Sequence, residues 1–404
     1  MERKVRNKLK IPFLFFILIY ANQGLSSLSS QSYYYLTRET WHLSATMLGL
    51  IGLITGMAWY IKPLFGLFID YFPIKKYRTK YYLYLNYILL ILSGLYIIIF
   101  GVNLLTLILI GLIINLAIGF NDVANDTQMC ILEKKYDLKG KIQSIQWMSL
   151  GLAGLFVSIG GAWIAEYFPE PLNYKIAEGL WILLPIITLI YLKKYYKENP
   201  VKRKIKRILP NLKKKFKDTF KNKDFLVGIL FIAFLRFSPS FGKALMIRMR
   251  EHMEIGKMFI GYLGATGTIL GLIGYALYYW KAHKFPMKKL LYFAVLFSGL
   301  TNLCYLWIPN KWTILGYNIL FGAFDGIAFL ALLAFIAKIV PTGSEGLFYA
   351  LVTSVNNFFA RLGEVAGGVI FDHWGYNINV IVASITTLIC LFFIPYLSIK
   401  EKQC

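Results

Sequence analysis

Charge is scarce in this chain: only 16% of its 404 residues are Asp, Glu, Lys or Arg. A soluble domain carries nearer a quarter, so a soluble globular protein of this length is excluded. Acids are the scarcer charge, 20 against 44 Lys and Arg, which leaves a formal net charge of +24. Histidine and cysteine are rarer still, four of each. Cys130, Cys304, Cys390 and Cys404 share no pairing or metal-ligand spacing, so they describe neither a disulfide framework nor a metal site. His42, His252, His283 and His373 all fall near loops with no ligand spacing between them. A polytopic membrane enzyme would need a nucleophile with its base, or a metal cluster, and neither pattern is present. Nor is there a Walker loop for ATP coupling.

What is abundant is apolar surface, 57% of residues with 17% aromatic, in blocks recurring along the whole length. A window of about 19 residues gives twelve candidate spans, near 11–36, 45–69, 81–100, 104–132, 143–167, 177–195, 225–248, 257–280, 288–308, 312–339, 345–371 and 376–397. The N-terminal run MERKVRNKLKIPFLFFILIY continues into ANQGLSSLSS without a convincing cleavage site, so it reads as a retained first span. Of the Lys and Arg residues, 34 fall on one side of this map and six on the other: Arg38, Lys175, Arg248, Arg250, Lys257 and Lys311. The expected location is the cell membrane, and that asymmetry places both termini in the cytoplasm. It also makes the net charge a matter of topology and of attraction to anionic lipid, with no nucleic-acid partner implied.

The fold class expected is an all-α membrane protein of two pseudo-symmetric six-helix bundles, residues 1–195 and 224–404. The basic stretch 196–223 joins them as a cytoplasmic linker with an amphipathic piece on the membrane surface. Internal repetition supports the division. Phe72, Pro73, Lys75 and Lys76 in YFPIKKYR correspond to Phe285, Pro286, Lys288 and Lys289 in KFPMKK. GFND at 119–122 matches GAFD at 322–325, and GGAWIAE from Gly160 resembles GGVIFD from Gly367. Duplicated six-span halves suit a carrier that rocks one half against the other; a channel fits less well, given embedded charges of both signs.

The loop GLFIDYFPIKKYR, with Gly66, Asp70, Lys75, Lys76 and Arg78, resembles the loop signature of the major facilitator superfamily. There the glycine lets two spans approach closely, and the acid and bases lock one access state. The longer run IKPLFGLFIDYFPIKKYRTKYYL, with YANQG at 20–24, DVAND at 122–126, SPS at 238–240 and PTGSEGLFYALVTSVNN at 341–357, is similar to the folate-biopterin transporter family of that superfamily. The resemblance covers nearly the whole chain. It implies the major facilitator fold, a folate or pterin substrate, protons as coupling ion, no cofactor, and action as a monomer. It also admits other heterocyclic metabolites, including a cationic sulfonium nucleoside.

The residues that could do this are few. Asp122 and Asp126, with Asn121 and Asn125 beside them, sit inside the fourth span. Four residues apart on a helix, the two acids share a face, and at about 2.5 to 3.5 kcal/mol per intramembrane carboxylate they must face water, a counter-ion or a ligand. Two such acids can handle a proton between them; alternatively Asn121, Asn125 and a lysine simply fix them. Asp126 is expected to be the more critical, the pair acting as a unit with Lys62, which precedes the helix-bending Pro63 or else snorkels to an interface. Arg236 and Lys243, seven apart and so on one face of a helix, flank SPS in a seventh span that Pro239 interrupts. Arg361 and Glu364 form an i, i+3 pair that can neutralise itself. Asp325 is singled out by its repeat mate Asp122, and Gln23 belongs to the YANQG stretch. A pterin offers N–H donors to a carboxylate, a ring to aromatics and, in folates, a glutamate tail to Lys or Arg.

Overall fold

The computed structural model describes residues 2–136, 141–198, 200, 217–340 and 345–397. Residues 201–216, most of the basic linker with its expected surface helix, lie outside the described residues, as do 341–344 of the PTGSEG stretch. Among the described residues all regular structure is helical, without a strand. That follows from the composition: in hydrocarbon a backbone satisfies its own polar groups within a helix.

The chain forms two compact units. The first comprises Met1–Trp41 and Ile54–Lys204. Its first span is α1 (Glu2–Leu25), a turn, α2 (Ser30–Tyr35) and a π-helical turn over Leu36–Thr40. The second span begins with α3 (Ala45–Thr55), tightens into a 3₁₀ turn at Gly56–Trp59, and resumes as α4 (Lys62–Tyr71) with Pro63 in its first turn. Proline is tolerated there because the first amides of a helix have no intrahelical partner. Then come α5 (Lys80–Phe100), α6 (Leu104–Tyr136), α7 (Lys141–Tyr167) and α8 (Leu172–Tyr195). At 33 residues, α6 is about 50 Å long, well beyond the roughly 30 Å of hydrocarbon. Phe16, Ile19, Leu83, Tyr87, Ile118 and Trp181 fill the interior of this unit. Polar contacts stitch α1 to α8: Asn22 donates to Thr188 Oγ1 at 2.7 Å, and Trp181 donates to the Asn22 carbonyl at 3.3 Å. Within a bilayer such bonds have no water to compete with them.

The second unit comprises His42–Leu53 and Ile205–Cys404, so most of α3 packs with it. It contains α9 (Lys223–Phe237), α10 (Gly242–Ile247), α11 (Lys257–Trp280), α12 (Met287–Cys304), α13 (Lys311–Ile339) and α14 (Glu345–Ile389), closed by a 3₁₀ segment, Cys390–Tyr396. Asn222 and Asn310 start α9 and α13, each side-chain oxygen accepting two otherwise orphaned amides. α9 ends at Phe237, and Ser238, at ψ 125°, turns the chain out of the helix just before Pro239. Gly363 and Gly367 of α14 then admit the broken strand of chain: a Cβ on Gly363 would lie 2.7 Å from the Ser238 carbonyl, and one on Gly367 would collide with that of Ser240.

Ten stretches among the described residues are long and apolar enough to cross a membrane. One of them, Leu347–Tyr396, has 50 residues and folds two crossings about Gly375, whose φ of 80° is open to glycine and strained for other residues. The shorter α12 lies outside the ten, with Lys288, Lys289 and Asn302 diluting its 18 residues. The twelve expected segments are accounted for in this way, and the all-α membrane architecture is the one the sequence predicts.

Candidate functional site

In the first unit the site is built on α6. Lys62, first residue of α4, reaches Asp122 with Nζ 2.6 Å from Oδ2, and the same ammonium lies 4.4 Å from the centre of the Trp59 ring. The 3₁₀ turn makes this possible, because it brings Trp59 and Lys62 to one place; Trp59 is itself held by an N–H bond to Asn115 Oδ1 at 3.1 Å. Asp122 is 5% exposed at its side chain and Lys62 17%. This is a buried, charge-assisted pair, and Lys62 does not snorkel away from it.

Asp126, one turn further on, is partnered differently. Its Oδ1 accepts from Tyr20 Oη at 3.2 Å and from Gln146 Nε2 at 3.5 Å. No cation stands within ion-pair distance of it among the described residues. The two acids therefore do share a region, yet one is neutralised by a lysine and the other is held by neutral donors from α1 and α7. Asn121 accepts from Asn86 of α5 at 2.9 Å and Asn125 is wholly buried with both side-chain atoms unpartnered. Among the described residues no hydrogen bond links the Gln23 side chain to these acids, and its buried Oε1 has no hydrogen-bond partner. Tyr20 and Gln146 carry no charge or rare spacing to announce them, and only the YANQG stretch pointed near one of them.

The loop after the second span holds the expected gating residues. Arg78 Nη1 stands 3.5 Å from Asp70 Oδ1, with Asp70 54% exposed, so this is a weak surface pair. Lys75 and Lys76 both have positive φ, 48° and 71°, which turns the chain sharply between α4 and α5. A methyl on Gly66 would meet only Val123, 4.0 Å away. The close approach of spans expected there is found instead at Gly119, where a Cβ would stand 3.2 Å from that of Ala58. Glu198, which sequence reasoning overlooked, accepts the amides of Arg78, Thr79 and Lys80 and the Thr79 hydroxyl. It caps α5 from 118 residues away, and only folding could reveal it.

In the second unit Arg361 donates to both oxygens of Glu364, at 2.8 and 2.9 Å, and Lys243 joins at 3.0 Å while also donating to the Leu48 carbonyl at 3.0 Å. The self-neutralising pair is thus a triad. Arg236 and Lys243 do not share a helix face as their spacing predicts. Seven residues bring two side chains together only on an unbroken helix, and α9 ends at Phe237 before α10 begins at Gly242. Arg236 and Asp325 instead line one cavity of about 580 Å³. The sequence repeat between Asp122 and Asp325 does not extend to their chemistry: Asp122 has a lysine, and Asp325 makes no ion pair among the described residues.

Solved structures of similar fold include the nucleoside transporter NupG, with a TM-score of 0.71 at 14% identity over 98% of this chain and 99% of that one. The inward-open xylose transporter XylE from E. coli is also similar, with a TM-score of 0.67 at 12% identity over 98% and 97% of the two chains. The fold is the major facilitator fold. Among similar sequences are the folate-biopterin transporter of Synechocystis sp., 24% identical over 95% of this chain and 81% of the relative, and folate transporter 1 of Plasmodium falciparum, 23% identical over 92% and 74%. Residues 23–399 match the family described as BT1. On that match, which takes in the α6 acids, the Gly66–Arg78 loop and the broken seventh span, the chain belongs to the BT1 family.

Proposed function

We propose that this chain is a secondary active transporter which moves a folate, a pterin or a related heterocyclic metabolite across the cell membrane by alternating access, coupled to protons. It works as a monomeric carrier, not as an enzyme, with both termini in the cytoplasm and with halves 1–195 and 224–404 moving about the linker 196–223. The substrate class is supported by the names of the similar sequences, a folate-biopterin transporter and a folate transporter.

The observation that carries the coupling is the unequal partnering of the two acids on α6. Asp122 is tied to Lys62 at 2.6 Å, whereas Asp126 is held by a phenol and an amide. A proton arriving at Asp122 would have to break an ion pair. One arriving at Asp126 only converts an acceptor into a donor, which lets the Tyr20 hydroxyl contact reverse and weakens the one from the Gln146 amide, and so biases one packing of α1, α6 and α7 over another. Asp126 is therefore the proton carrier and the Asp122–Lys62 ion pair the fixed, self-neutralised contact beside it. The loop of Gly66, Asp70, Lys75, Lys76 and Arg78 gates the cytoplasmic side; its weak pair at 3.5 Å can open at little cost.

The test is uptake into vesicles reconstituted with the purified chain and offered labelled folate, biopterin, nucleoside and amino-acid compounds, with and without an imposed proton gradient. Saturable accumulation of folate or biopterin that collapses with the gradient is expected. Preference for the nucleoside or amino acid overturns the substrate, accumulation indifferent to the gradient overturns the coupling, and non-saturable flux overturns the carrier.

A further inference from the structure

The second unit carries a half-open cavity of about 580 Å³ with both charged and aromatic groups in its wall. That volume lies in the range of pockets that bury a small organic ligand. Two charged side chains of opposite sign line it: among the described residues neither the Arg236 guanidinium nor the Asp325 carboxylate makes a hydrogen bond or close ion pair, and Arg236 feels Glu364 of the same wall only at longer range. The third charge on the wall, Glu364, is already bound to Arg361 and Lys243. These three cations and two acids leave one positive charge uncompensated. An unpaired guanidinium and an unpaired carboxylate inside a membrane protein are costly to retain without a use.

The rest of the wall is largely aromatic, aliphatic and hydroxylic. Phe241 and Tyr305 pack with ring centres 5.5 Å apart, and Phe321 and Phe329 also face the cavity. Ser298 and Asn302, one turn apart on α12, add short polar groups. Arg236 stands in the last turn of α9, immediately before the break at Ser238 and Pro239, so its place is fixed by a helix end and not by a flexible loop.

Resting on the folate and pterin reading above, we propose that this cavity recognises the two ends of the ligand separately: Arg236 binds a carboxylate by a forked pair of N–H bonds, Asp325 accepts ring N–H donors of a flat heterocycle, and the aromatic wall covers the ring. A planar guanidinium matches a carboxylate bidentately, and a carboxylate matches an adjacent amino and ring N–H pair in the same way. Recognition of the ligand then belongs to the second unit and proton handling to the α6 acids of the first.

The assignment is tested by equilibrium binding to the purified full-length protein using three probes. Folic acid carries both ends, biopterin has the ring without the carboxylate, and 4-aminobenzoylglutamate has the carboxylates without the pterin. Arg236→Gln should weaken folic acid and 4-aminobenzoylglutamate roughly ten- to hundredfold, the loss of a charged hydrogen-bonding partner, and leave biopterin within about twofold. Asp325→Asn should weaken folic acid and biopterin by a similar factor and spare 4-aminobenzoylglutamate. Thermal unfolding of each variant is measured alongside. Should Arg236→Gln fail to fold, Arg236→Lys keeps the charge, loses the fork and should still single out the carboxylate-bearing probes. Uniform loss of all three probes by a folded variant, or no change in any, overturns the assignment while leaving folate and pterin transport intact. If the unaltered protein binds none of the three, the substrate reading fails and takes the assignment with it.

Discussion

Removing either partner of the Lys62–Asp122 pair should cost far more than removing both. The distance is 2.6 Å and the two side chains are 17% and 5% exposed. At an effective dielectric of about 20 the attraction at that distance is roughly 6 kcal/mol, and desolvation of the two ions offsets most of it. Asp122→Asn leaves a buried ammonium facing an amide, and Lys62→Met leaves a buried carboxylate facing a thioether; each should lose about 3 to 5 kcal/mol. The double variant, Lys62→Met with Asp122→Asn, buries no orphaned charge, so it should be more stable than the sum of the singles by about 3 kcal/mol. Asp70→Asn is the internal control. Its pair with Arg78 is 3.5 Å long and half exposed, so its loss should cost under about 1 kcal/mol. The assay is denaturant unfolding of the purified protein in micelles, followed by tryptophan fluorescence, with the four proteins of the cycle measured together. Single losses no larger than that of Asp70→Asn, or a double variant additive within about 0.5 kcal/mol, would refute the view of this contact as a desolvated ion pair.

Three further outcomes are expected. If Asp126 carries the proton as proposed, Asp126→Asn should abolish concentrative uptake while leaving counterflow exchange, the Asp122–Lys62 pair being untouched; normal concentrative uptake by both Asp122→Asn and Asp126→Asn would remove these acids from the mechanism. Glu198→Gln should lower stability by about 0.5 to 2 kcal/mol, the range for losing a helix N-cap, and should speed hydrogen exchange at the amides of Arg78, Thr79 and Lys80, which it accepts; unchanged exchange there would show that the cap does not persist in the working protein. Gly367→Ala drives a methyl into the Ser240 carbonyl and within 2.9 Å of its nitrogen, an overpacking that should cost about 1 to 3 kcal/mol; an unchanged unfolding midpoint would mean that the broken seventh span is not held against α14 there.

The membrane setting, the helical class and the position of the twelve segments were legible in the amino-acid sequence because each depends on local composition. A run of apolar residues long enough to cross hydrocarbon must be helical whatever its neighbours are, and a proline such as Pro239 breaks a helix from within. The i, i+3 pairing of Arg361 with Glu364 and the shared turn of Asp122 and Asp126 belong to the same class, since helical periodicity sets which residues of one helix lie together. Periodicity does not say which residue of another helix stands opposite. Asp122 meets Lys62 across 60 positions and Asp126 meets Tyr20 across 106, and both contacts exist only because α1, α4 and α6 pack in one particular rotation. That packing gave the acids unequal partners, passed over Gln23 in favour of Tyr20, and delivered Glu198 to the start of α5. It also separated Arg236 from Lys243, because a spacing of seven carries meaning only along an unbroken helix, and the tertiary fold used the break to place one cation in an ion triad and the other in a cavity.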